Sequence, residues 1–209
     1  MFLQSNFISP QPRLRKFNNV LFVSTLLFSL YIVLAPVLPE VLFNVNSLLR
    51  VAKNFLGFES STVVVNDYSK NNSAEVIPTD NTLVIPKIDV NGIIYAGKSV
   101  NLLEKGIWHR PKSSNPELGG NTVFVAHRFL YTSGPNTFYH LDKLKMDDEF
   151  TIYWNKKKYQ YKVYETKVVP ATAFDIEAPT KDPIVTLWTC TPLFTATNRL
   201  VVRAKLIAS

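Results

Sequence analysis

From Phe17 to Pro39 the chain runs 23 residues without a charge, FNNVLFVSTLLFSLYIVLAPVLP. Drawn as a helix, this stretch is apolar on all sides, unlike the one-sided stripe of a helix packed on a core. A bilayer's hydrocarbon takes about 20 apolar residues as a helix, and Val20 to Leu38 meets that length. Arg13, Arg15 and Lys16 precede it; by the positive-inside bias they keep the N-terminus cytoplasmic and put everything after the span outside. A cleaved signal peptide is the rival, with a shorter apolar run and a small-residue cleavage site. Ala35 is followed directly by Pro36, which suits cleavage badly, so an uncleaved anchor is expected.

Beyond the span the period changes. NSLLRVAKNFLGF (Asn46–Phe58) has apolar residues at helical spacing, and NDYSKNNSAEVIPTD (Asn66–Asp80) reads as a polar linker. Then come short runs rich in β-branched and aromatic residues, bounded by Gly, Pro and Asn. They are Thr82–Pro86, Gly92–Ala96, Asn121–His127, Glu149–Trp154, Lys158–Val169, Pro183–Cys190 and Arg199–Ile207. NKKK (Asn155–Lys158) reads as a hairpin turn, FYHLDKLK (Phe138–Lys145) as the one short helix, and GIWHRP around His109 as a loop. Seven or eight strands with little helix predict a closed or sandwiched β domain. The expected layout is a cytoplasmic N-terminus at 1–16, a transmembrane signal anchor at 17–39, a juxtamembrane helix and linker at 40–81, and the β domain at 82–209.

Composition narrows the partners. Of 209 residues, 46% are hydrophobic and 12% aromatic, enough for a packed core. The net charge of +7 is spread over both parts, with no run of five basic residues and no nucleic-acid motif, so no nucleic-acid partner is expected. One Cys and three scattered His show no metal-ligand spacing; no phosphate loop or GxSxG elbow is present. Neither metal nor cofactor is expected.

The chemistry centres on Cys190, the only cysteine. It ends the strand PIVTLWTC, and an exported lone thiol needs an explanation. The thiolate is the nucleophile, and a histidine is its usual activating base. His127 ends an apolar strand, whereas His109 sits in a loop and His140 in the helical stretch. A strand end holds a side chain more rigidly, which favours His127 and leaves the other two as alternatives. In RLVVRAKL, Arg199, Val201, Arg203 and Lys205 share one strand face. If this strand pairs with that of Cys190, Arg199 lies beside the thiol as a donor to a developing oxyanion; a solvated face is the plainer reading. By the same alternation Trp188 shares a face with Cys190, opposite Val185, Leu187 and Thr189. Trp188 is thus a candidate wall of a substrate groove.

These residues resemble the sortases, the cell-surface cysteine transpeptidases. TLWTC resembles the TLxTC signature, VFVAH the strand ending in the catalytic His, and RLVV, nine residues after Cys190, the catalytic-Arg strand. IPKIDVNGIIYAG and FYHLDKLKMDDEF follow in the family's order, and the likeness covers about residues 82–207. It implies a mainly β fold, an eight-stranded sortase-type β-barrel with short helices, behind the N-terminal transmembrane helix. Cys190 carries over as nucleophile, His127 as acid/base and Arg199 as oxyanion or substrate-positioning donor, with Trp188, Thr189 and Thr191 as substrate-binding candidates. The implied partners are surface proteins with a Leu-Pro-x-Thr-Gly-like (LPxTG-like) sorting signal, an amine acceptor in the cell wall or on a pilin, and the lipid bilayer. Ala126 stands where the family usually has Gly. Thr191-Pro192 and the short Cys-to-Arg spacing depart from the class A type, though no Asp-Pro-aromatic lid motif precedes the first strand. Protein anchoring is the expected role. Pilin polymerisation, hydrolysis of sorting signals and a non-catalytic wall-binding domain are the alternatives.

Overall fold

The computed structural model describes residues 12–38, 40–45, 48–49, 77–128 and 135–209. The chain divides into two units, Met1–Thr62 and Val63–Ser209. The first contains helix α1 (Pro12–Leu34), of which Arg15–Leu34, 20 residues, is long and apolar enough to cross a membrane. It starts and stops earlier than expected. Pro12 suits a first helical turn. Pro36 has no N–H and disfavours helical backbone at the residue before it; the helix ends at Leu34, and the Val37 N–H donates to the Leu34 carbonyl at 3.0 Å, a tighter turn. Of the juxtamembrane helix expected at Asn46–Phe58 only Leu48 and Leu49 are described, both helical. Most of the linker lies outside the described residues.

The second unit is a closed barrel of β1 (Thr82–Ile85), β2 (Val90–Ala96), β3 (Ile107–His109), β4 (Asn121–Val125), β5 (Glu149–Trp154), β6 (Lys157–Pro170), β7 (Ile184–Thr191) and β8 (Asn198–Ala208). The strand order is β1-β2-β3-β4-β7-β8-β6-β5, with β5 pairing back onto β1. Alternation fixes which face goes in. Leu83 and Ile85, Phe124, Leu187, and Leu200, Val202 and Ala204 fill the core. The β5–β6 hairpin turns on Asn155 and Lys156, with φ of 49° and 62°, the left-handed pair that matches strand twist in a two-residue loop. The helix expected at Phe138–Lys145 is a single 3-10 turn, Leu141–Lys143. The loop expected at GIWHRP contains β3, whose three residues pair with β2 and the last two of them also with β4.

Two pairings are parallel, β2 with β3 and β4 with β7. The β2–β3 connection therefore carries the chain back along the barrel, folding into a 3-10 helix at Val100–Lys105 and ending beside the last residues of β4. The segment after residue 134 crosses β2 so closely that a Cβ on Gly92 would lie 2.5 Å from the Pro135 carbonyl oxygen. The Phe138 N–H then bonds the His127 carbonyl at 3.0 Å, fixing the exit from β4.

His109 ends β3 against the rings of Phe124 and Trp154, 5.5 Å and 5.2 Å away. Its Nε2–H donates to the Ser114 carbonyl at 2.7 Å and thereby ties down the β3–β4 loop. Burial lowers its pKa from the ordinary histidine value, with the Ser114 bond opposing in part. Below that ordinary value the unfolded chain takes up a proton that folded His109 refuses, so stability falls as pH drops from neutrality. Thermal melts from pH 7.5 to 5.5 are expected to show a declining Tm. His109→Gln, which keeps a donor for Ser114, should flatten that decline; an unchanged slope would remove His109 as its source.

Candidate active site

β4 and β7 keep one register from Asn121↔Ile184 to Val125↔Trp188. Continued two residues further, the same offset sets His127 level with Cys190. On the other side of β7, Cys190 pairs directly with Arg199 of β8. Residues paired across strands share a face of the sheet. Val185 and Leu187 point into the core, so Thr186, Trp188 and Cys190 point outward, as do Val201 and Arg203 opposite Trp188 and Thr186. Cys190 and Arg199 thus share the outward face, and His127, two residues past β4, falls in line with them by the continued offset, at the end of the barrel where β4 and β7 finish. Cys190 is a free thiol, partly exposed.

Below this row the outer face is covered. The 3-10 turn Phe174–Glu177 of the β6–β7 loop lies across β4, β7 and β8, held by buried Asn121. Asn121 Nδ2 donates to the carbonyls of Ile176 and Ala178 at 3.2 and 3.0 Å, while its Oδ1 accepts from Thr186 Oγ1 at 2.7 Å. Arg203 Nη2 adds a bond to the Ile176 carbonyl at 3.3 Å. Glu177 receives Arg110 Nε at 2.8 Å and the Trp188 indole N–H at 3.0 Å. Trp188 is therefore half-buried below the thiol, on the outward face where the alternation puts it, with its indole locked by a carboxylate.

Two neighbours orient the row. His127 Nε2 lies 3.0 Å from Glu104 Oε1, delivered by the β2–β3 connection. Arg199 Cζ sits 5.5 Å from the Trp188 ring centroid. Its Nη1 donates to the carbonyls of Ala196 and Asn198 at 3.0 and 2.9 Å; Nε and Nη2 have no acceptor among the described residues. Of the alternative histidines, His109 is committed to the β3–β4 loop and His140 is buried, edge-on to the Tyr139 ring.

Thr189 needs correcting as a substrate-binding candidate. Its side chain is fully buried on the core-facing side, and its hydroxyl donates to the Ala126 carbonyl at 2.8 Å. It staples the end of β7 to the residue before His127 and cannot present its hydroxyl to a ligand. Thr191 is partly exposed, and its Oγ1 accepts from Arg128 Nη1 at 3.0 Å. Arg128, Glu104, Glu177 and Asn121 escaped the sequence reading. Only Arg128 carried a signal, its position directly after the histidine.

The Sortase domain model matches residues 83–207. Solved structures agree over about the same part. A Clostridium perfringens sortase D5 transpeptidase shares 29% identity over 62% of this chain and 79% of that one, with a TM-score of 0.55. Sortase C1 of GBS pilus island 1 shares 34% over 62% and 64%, with a TM-score of 0.56. A lid mutant of sortase A from Corynebacterium diphtheriae shares 30% over 63% and 72%, with a TM-score of 0.57. No curated protein sequence matches the chain at a significant level.

Thr189→Val keeps the shape but strips the Ala126 carbonyl of its buried donor. The expected loss is about 1–3 kcal/mol of stability, the usual cost of such an orphan, read as a lower midpoint in chemical denaturation. A midpoint equal to that of the parent protein would show that the staple contributes nothing.

Proposed function

The chain belongs to the sortase family of cysteine transpeptidases, and on that premise we propose that it cleaves an LPxTG-like sorting signal and joins the released surface protein to an amine of the cell wall. One observation supports this most: Cys190 pairs with Arg199 at a partly exposed strand end, and the β4–β7 register, continued two residues, brings His127 level with the thiol. In this reading the Cys190 thiolate attacks the threonine carbonyl carbon. The carbonyl electrons move onto oxygen, and the Nε–H or Nη2–H of Arg199 donates to that oxyanion. Collapse breaks the Thr–Gly bond, and His127 gives its proton to the leaving amine. A Cys190 thioester remains. The acceptor amine then attacks, loses its proton to His127, and expels the thiolate as the new amide forms. Trp188 lies on the approach to the thiol, while Thr191 gives its hydroxyl oxygen to Arg128.

The same reading makes residues 17–39 the membrane anchor, with the N-terminus inside and the barrel outside. That arrangement suits an enzyme whose substrates arrive across the membrane. Pilin polymerisation is the second reading, favoured by the Thr191-Pro192 pair after Cys190 and the 34% identity to a sortase C1.

The test incubates the full-length protein in detergent micelles with a Leu-Pro-x-Thr-Gly peptide and a glycine or lysine-side-chain amine. Mass analysis should find the peptide–amine conjugate, and Cys190→Ala should abolish it. The rate should follow a bell in pH whose limbs belong to the coupled thiol–imidazole pair. His127→Ala should remove the falling limb, leaving only a rise as the thiol ionises, along with at least ~100-fold of the rate. A free peptide acid as sole product would make the protein a hydrolase. Neither product, with no trappable Cys190 thioester, would overturn the proposal.

A further inference from the structure

The backbone ladder between β4 and β7 stops at Val125↔Trp188, two residues short of His127 and Cys190. The two groups that must meet therefore lie beyond the regular pairing that aligns their strands. Side chains replace the missing bonds. Thr189 Oγ1 reaches the Ala126 carbonyl on the near side of the row, and Arg128 Nη1 reaches Thr191 Oγ1 on the far side. The histidine and the cysteine are thus bracketed, each flanked by residues bonded to the other strand.

Arg128 does more than continue the ladder. Its side chain is only 10% exposed, and each of its three nitrogens engages a different group. Nη1 donates to Thr191 on β7. Nε donates to the Tyr139 carbonyl at 3.0 Å. Nη2 pairs with Asp142 Oδ1 at 2.9 Å on the 3-10 turn Leu141–Lys143. One planar guanidinium thereby fixes the end of β4, the end of β7 and the turn beyond the His127 loop. A lysine cannot match that, because an ammonium on a flexible stem lacks the rigid fork.

We propose that Arg128 is the positioning residue that sets the spacing of His127 and Cys190, acting through Thr191 on the thiol's strand and through its own backbone on the imidazole. The proposal rests on the transpeptidase reading for its turnover arm, but its geometry concerns only how the thiol and imidazole are aligned. The charged groups facing that pair are Glu104 from the β2–β3 connection, Arg199 from β8, and Arg128 with Asp142 on the inner side.

The experiment measures two things on the full-length protein: turnover of a sorting-signal peptide, and the pH profile of Cys190 alkylation by iodoacetamide. The second needs no substrate. Arg128→Met and Thr191→Val are expected to lower kcat by ten-fold or more with KM within about two-fold, and to move the alkylation profile toward that of His127→Ala. Thr191→Ser, which keeps the acceptor oxygen, regains most of what Thr191→Val loses, and Arg128→Lys regains little. Combining Arg128→Met with Thr191→Val should cost little beyond Arg128→Met alone, since the Arg128–Thr191 bond is already lost in that variant. Thermal melts monitor folding; if Arg128→Met does not fold, Thr191→Val and its serine rescue carry the test. The proposal is overturned if folded variants keep the parent alkylation profile, or if KM rises while kcat holds. Absence of peptide turnover in the parent protein would sink the transpeptidase reading and leave the alkylation arm to decide this one.

Discussion

The parallel pairing of β4 with β7 is the constraint on which the rest of the structure depends. The two strands are separated in sequence by the whole β5–β6 hairpin and the loops around it, so their pairing closes a long loop and carries a corresponding entropy cost. Packing on both sides offsets it: Phe124 meets Leu187 inside, and Val125 meets Trp188 outside. Because side chains alternate, a slip of one residue would turn Cys190 inward and Thr189 outward. The register is thus fixed by the core, and the row of His127, Cys190 and Arg199 inherits its alignment from apolar contacts lower on the same strands.

A strand paired in parallel needs cover on both faces, and every residue of β4 is buried. The barrel interior covers one face, and the turn Phe174–Glu177, pinned by Asn121 and Arg203, covers the other. That cover ends below Cys190, so the outer face opens only where β4 and β7 finish. Accessibility of the thiol and burial of its supports are consequences of one arrangement. The exposed aromatic rims follow from it too: Phe174 on the β6–β7 loop and Phe194 on the β7–β8 loop stand in solvent on loops that flank the open end.

What was legible in the sequence follows from the length scale of each signal. Alternation over six to fourteen residues is local, so β5, β6, β7 and β8 lie within one residue of where the pattern puts them. β3 has three residues, too few for any period, and it exists because two neighbours supply its hydrogen bonds. The last two residues expected in the strand before His127 lie past its ladder, since the chain there turns to pair with Phe138 instead. Thr189 shows the hazard of reading a motif over its geometry: the alternation had already grouped it with Val185 and Leu187 on the core side. Glu104 pairs with His127, Glu177 with Arg110 and Arg128 with Thr191 across separations of 23 to 67 residues, where no local pattern exists. Only the folded register brings such groups together.

The four arginines of the barrel separate into three with a carboxylate partner and one without among the described residues. Arg110 is paired with Glu177, Arg128 with Asp142 and Arg203 with Glu165. Each of these guanidiniums is neutralised by a carboxylate and spends its donors holding a loop or strand end. Among the described residues Arg199 has no carboxylate partner; it rests over the Trp188 ring and donates one nitrogen to two carbonyls. Carbonyl and ring contacts orient a guanidinium without cancelling its charge, whereas a carboxylate would do both. The uncompensated cation is therefore the one directly across from Cys190. A negative charge that appeared beside this thiol would meet an oriented, unneutralised donor, the arrangement by which a fixed dipole or cation stabilises developing charge.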